Sequence, residues 1–152
     1  MTRVIFLLSI LFALNSLAQE QFSEENAKAL IDTFFEGFHA GDTLQMKSVL
    51  AENVSLLTAH TNSDGKPSLS DGTIDDLLKA IANRPSDQKW EEKLLDYSVQ
   101  IDGNLAHVWT PYEFWLNGNF SHCGSNAFTL AKLPDGWKII HLIDSRRRED
   151  CK

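Results

Sequence analysis

The sequence predicts an α+β fold: three helices in the first half and a curved, mainly antiparallel sheet of about five strands, most of it in the second. Three observations predict it. Apolar residues from Ala27 to Phe38 recur at spacings of three and four, the period of a helix. Beyond residue 90 the pattern becomes one of long strands. Asp102-Gly103, Asn117-Gly118 and Pro134-Asp135-Gly136 separate those strands and have hairpin-turn chemistry.

The first eighteen residues read as a signal peptide. Arg3 gives a positive start, Val4 to Leu14 is apolar except for Ser9, and Ser16-Leu17-Ala18 is a small-x-small cleavage site before Gln19. A membrane anchor is the rival reading, but the apolar run is about half of the roughly 20 residues that span a bilayer. Gln19 stands where a lipoprotein would carry cysteine. One domain over 19–152 is therefore expected, exported to the periplasm or the medium. Thirteen basic against 21 acidic side chains leave it at −8. That charge argues against nucleic acid and anionic membranes as partners. Arg146-Arg147-Arg148 is a local exception, suited to ion pairs or to one anionic group.

Ser23 is an N-cap, with Glu24 and Glu25 suited to the positive helix start; Asn26 sits where a capping box prefers Glu or Gln. Ala27, Leu30, Ile31, Phe34, Phe35 and Phe38 form one apolar face, and Gly41 is the C-cap. Asp42 or Thr43 caps a short second helix through Leu50. Residues 53–59 have strand character. Residues 61–72, rich in Ser, Asp, Gly and Pro, read as a long loop. Residues 73–83 read as a third helix, ended by Arg84-Pro85. Strands are expected over 91–101, 105–116, 120–133 and 137–145.

Cys123 and Cys151 are the only cysteines, and an even count in an exported chain suggests a disulfide. It would close a 28-residue loop, worth ~3.5 kcal/mol at most by chain entropy. Two free thiols are the alternative.

The order helix, helix, strand, helix and long meander resembles the nuclear-transport-factor-2-like superfamily. Phe34-Phe35-x-x-Phe38-x-x-Gly41-Asp42 is similar to its first helix and following turn. Residues 135–141, Asp-Gly-Trp-Lys-Ile-Ile-His, are similar to its last hairpin. Residues 109–114, 121–124 and 144–147 resemble exported bacterial members of the lumazine-binding and polyketide-cyclase-like groups. The resemblance covers about 22–148. It implies a cone-shaped roll with a pocket at the open end, and a homodimer through the sheet is a further implied possibility. It supplies no catalytic set that carries over.

Turn geometry sorts the strand residues by face. A two-residue Asn117-Gly118 turn makes paired numbers sum to 235, setting Glu113 opposite His122. A three-residue Pro134–Gly136 loop pairs Leu133 with Trp137 and makes the next pairs sum to 270, setting Asn126 opposite Asp144. Alternation then places Trp109, Glu113, Trp115, His122, Asn126, Asp144 and Arg146 on one face, with Val108, Tyr112, Phe114 and Cys123 on the other. A bulge would break this sorting. The candidate ligand-binding set is Trp109, Tyr112, Trp115, His122, Asn126, Asp144 and Arg146. The catalytic candidates are His122 with Asp144 or Glu113, since a carboxylate neighbour fixes an imidazole's tautomer and raises its pKa. The alternative is a solvated face of ordinary cross-strand pairs. His39 suits the helix C-terminus as a cation, His60 and His107 the surface, and His141 the core. His60, His122, Glu113 and Asp144 lack metal-ligand spacing, so neither metal nor cofactor is expected. Three functions follow: an accessory domain binding a small molecule, an enzyme (isomerase, dehydratase or hydrolase), or a dimerisation module.

Overall fold

A computed structural model describes residues 21–151. The signal peptide expected over 1–18 lies outside the described residues.

Helix α1 (Glu24–Ala40) begins where Ser23 Oγ accepts from Asn26 N–H, while Asn26 Oδ1 accepts from Ser23 N–H. Asparagine thus completes a capping box usually closed by Glu or Gln. Ala27, Ile31, Phe34, Phe35 and Phe38 are buried, as their spacing predicts. Gly41 ends the helix at φ 76°, in the left-handed region that glycine enters without strain. Asp42, rather than Thr43, caps α2 (Thr43–Ser48): its Oδ1 accepts from the N–H groups of Leu44 and Gln45, both at 3.0 Å. Asp42→Ala is expected to lower stability by about 1 kcal/mol, read as a lower urea midpoint at constant slope; an unmoved midpoint would refute the role. Helix α3 (Ile74–Ala82) is capped by Thr73. Arg84 Nη1 and Nη2 then donate to the carbonyls of Phe38 and His39, closing the end of α1.

The sheet has seven strands rather than about five: β1 (Leu50–Thr61), β2 (Pro67–Thr73), β3 (Trp90–Leu94), β4 (Ser98–Asp102), β5 (Leu105–Leu116), β6 (Asn119–Leu133) and β7 (Gly136–Arg147). Two differences make up the count. Residues 67–73, expected as loop, form an edge strand antiparallel to β1. The single strand expected over 91–101 is interrupted at 95–97, and its halves pair with different parts of β5. The main order is β2-β1-β7-β6-β5-β3. β1 lies parallel to β7, whereas the other pairs are antiparallel.

Two bulges set the register. Trp115 pairs with Phe120 as expected, but Phe114 pairs with His122, leaving Ser121 as an extra residue. From there inward every β5–β6 pair is shifted by one. At the last hairpin the turn is one residue tighter than expected, with Leu133 opposite Gly136. Ile140 then bulges out, and the expected pairing of Asn126 with Asp144 is restored. α1 covers the concave face, and its Phe34 and Phe35 meet Phe128 edge-on. Cys123 and Cys151 form a disulfide that ties the tail to β6.

Candidate functional site

Between α1 and the concave sheet lies a cavity of about 470 Å³. Phe34, Phe35 and Phe38 of α1 form one wall, and Trp90, Phe114 and Leu116 form another. Leu56, Leu77 and Leu142 add further apolar surface. Strands β1, β3, β6 and β7 contribute the polar residues Thr58, Glu92, His122, Asn126, Asp144 and Arg146, and Ser70, Asp71 and Gln88 add polar groups from β2 and the segment before β3.

The centre of the polar set is Asp144, 8% exposed. Thr58 Oγ1 donates to its Oδ1 at 2.6 Å, and the Tyr112 hydroxyl donates to its Oδ2 at 3.0 Å. Arg146 Nε adds a third donor at 3.3 Å. A buried carboxylate with three donors is satisfied, so it is anchored rather than free to react. Burial and the neighbouring Asp144 charge push the Tyr112 hydroxyl up, which keeps it a donor.

Glu92 is different. Asn126 Nδ2 donates to its Oε1 at 2.7 Å. Burial pushes its carboxyl up to about 7; Asn126 pulls the other way, and Asp144 adds to the rise. The residue keeps some accessible surface because the cavity opens onto it. His122 stacks on Phe114, ring centroids 4.8 Å apart, and its Nδ1 lies 3.1 Å from Ser121 Oγ. Burial, reinforced by Arg146, pushes His122 down to about 4, so it is a neutral imidazole at pH 7.

The shifted register re-sorts the expected set. His122, Asn126, Asp144 and Arg146 line the cavity together. Trp109, Glu113 and Trp115 do not: the extra residue at Ser121 turns the odd positions of β5 to the convex face. There Trp115 Nε1 donates to Glu113 Oε2 and Lys93 lies over its ring, while Trp109 is 44% exposed. Glu113 is thus no partner for His122, and the four groups weighed as a metal site do not converge. Tyr112, expected on the face opposite His122 and Asp144 but counted among the ligand-binding candidates, shares their inward face and is buried beneath the cavity, holding Asp144. Glu92, absent from the expected set, faces inward opposite Phe114. Its signal was an acidic residue in the inward-facing row Trp90, Glu92, Leu94. His39 is an acceptor, not a helix-end cation: its Nε2 receives Glu92 N–H at 3.0 Å, and burial lowers its pKa. His141 lies half-buried beyond the Ile140 bulge rather than in the core.

The fold resembles solved structures from several bacteria. A nuclear-transport-factor-2-like protein of unknown function from Pseudomonas putida aligns with TM-score 0.64 at 15% identity, over 80% of this chain and 84% of that one. A superfamily protein from Salmonella enterica gives 0.62 at 17%, over 84% and 92%. A "putative dehydratase" of the same family from Streptomyces avermitilis gives 0.60 at 17%, over 81% and 94%. At these identities the likeness is one of fold. No curated protein matches the chain. The model of a family described as "Putative lumazine-binding" matches residues 23–142. With its helices and curved sheet in the superfamily's arrangement, the chain belongs to this family, described as "Putative lumazine-binding", of nuclear-transport-factor-2-like proteins.

Proposed function

We propose that this is an exported protein that binds a small organic molecule with a flat apolar body. The observation that carries the reading is the cavity of about 470 Å³, with aromatic walls and a set of hydrogen-bonding side chains among them. Ligand sites have this size and this division of labour: apolar contact supplies affinity, and a few polar groups set orientation. Phe114 and Trp90 offer aromatic surface, while Glu92, Asn126 and neutral His122 offer both donors and acceptors. The family's description supports a heteroaromatic ligand. Export is supported by the leader pattern and by the Cys123–Cys151 disulfide, a bond of oxidising compartments. Among the described residues, no helix is long and apolar enough to cross a membrane.

The test is isothermal titration and native mass spectrometry against lumazine and other flat heterocycles. One molecule per chain is expected to bind, with affinity about tenfold weaker in His122→Ala, the loss of one ring contact and one hydrogen bond. A panel in which nothing binds would remove the proposal. Glu92 favours a second reading, an acid–base enzyme, because a carboxyl titrating near 7 inside a cavity can give and take a proton at neutral pH. Under that reading Glu92→Gln retains ligand but loses turnover.

A further inference from the structure

We infer that the ligand carries an anionic group, phosphate or carboxylate, seated on Arg146 and Arg148 at the mouth of the cone. The inference rests on the binding reading above and extends it. A second cleft, about 720 Å³, adjoins the cavity and shares Thr58, Ser70 and Arg146 with it. The two form one path from aromatic walls to a cationic rim. His60 stands opposite Arg146 on the neighbouring strand and lines the same cleft.

Arg146 is aimed for this role. Its Nε is held by Asp144, which fixes the plane of the guanidinium. Its side chain is 51% exposed, with Asp144 and Tyr112 against its inner side. Arg148 follows two positions later and lines the cleft, and it makes no salt bridge among the described residues. Positive charge from both arginines adds to burial in keeping His122 neutral, which places their field inside the cavity. Glu149 is the carboxylate on the cleft, and Asp144 engages Arg146 from below. Arg146, Arg147 and Arg148 all line the cleft, so in a chain of net charge −7 like charges gather there and offer guanidinium N–H donors. A bidentate anion relieves the first and uses the second.

The test uses residues 19–152 and two fluorescent probes with the same aromatic body: 1-anilinonaphthalene-8-sulfonate and its uncharged parent, N-phenyl-1-naphthylamine. The sulfonate is expected to bind about tenfold more tightly, the effect of one charge-assisted contact. Arg148→Gln should remove most of that advantage and leave the uncharged probe unmoved. Added salt should weaken only the sulfonate. Equal affinities, insensitive to Arg148→Gln, overturn the anionic seat and leave the binding reading standing. If neither probe binds, the binding reading falls, and pyrophosphate and succinate decide the cleft alone. Perturbed Nε–Hε NMR signals of Arg146 and Arg148 uphold it and separate phosphate from carboxylate; unperturbed signals overturn it.

Discussion

Replacing Gly124 with alanine is expected to lower stability by about 3–5 kcal/mol, among the largest losses a single methyl group can cause here. Gly124 sits in β6 between Tyr112 of β5 and Arg146 of β7. A β-carbon there would overlap the Ser145 carbonyl oxygen and come within 2.8 Å of Tyr112 Cε1. The first neighbour is backbone, so rotating a side chain cannot relieve the overlap; β6 and β7 must part. The second neighbour is the ring whose hydroxyl holds Asp144. The loss therefore combines overpacking with a weakened hydrogen bond to a carboxylate, each about 1–3 kcal/mol. Urea unfolding measures the sum, and a change below about 1 kcal/mol would mean that the close approach of these strands is not as described. Tyr112→Phe should cost only the hydrogen-bond part.

A second large effect should appear in the pH dependence of stability. Glutamate ordinarily titrates near 4.5, but Glu92 in the fold titrates at about 7. Between those values the folded protein holds a proton that the unfolded chain has released. Stability from Glu92 therefore falls as pH rises through this window, and the full penalty is present above it. The 2.5-unit difference corresponds to roughly 3 kcal/mol as an upper figure. His122 acts in the opposite sense. Its folded value of about 4 lies below the ordinary 6.5, so stability rises with pH between them. Its magnitude is smaller because the ring is only half-buried and solvent screens it. The His122 slope therefore offsets only part of the Glu92 slope in the wild type. Glu92→Gln should unmask the rising slope and, at pH 8, be more stable than wild type by up to about 3 kcal/mol. His122→Phe should unmask the falling one. A Glu92→Gln protein no more stable than wild type at pH 8 would show that the carboxyl is not held at a cost.

The helices were legible because each carries its own boundary signal: Ser23, Asp42 and Thr73 at the starts, Gly41 at the first end. The long strands were legible for the same reason, since Asn117-Gly118 and Pro134-Asp135 announce their turns. What alternation could not reveal was the bulge at Ser121. A bulge follows from how the whole sheet curves around α1, and no residue type marks it. That one residue removed Trp109, Glu113 and Trp115 from the cavity side and brought in Tyr112 and Phe114. The β6–β7 pairing came out right through a compensation: the tighter turn and the Ile140 bulge offset each other. β2 was hidden by its composition, because Pro67, Ser68, Ser70, Asp71 and Gly72 read as loop yet suit an edge strand, where few side chains pack. Glu92 was missed because no hairpin turn fixes the register of β3 against β5, so its pairing follows from tertiary closure alone.

The parallel contact of β1 with β7 orders the events of biosynthesis. Leu56 finds its neighbour in Leu142, far along the chain. When the β1–β2 hairpin leaves the ribosome, the strand it must lie beside has not been translated. Closing so distant a contact is slow, so this part of the sheet is completed only once β7 is present.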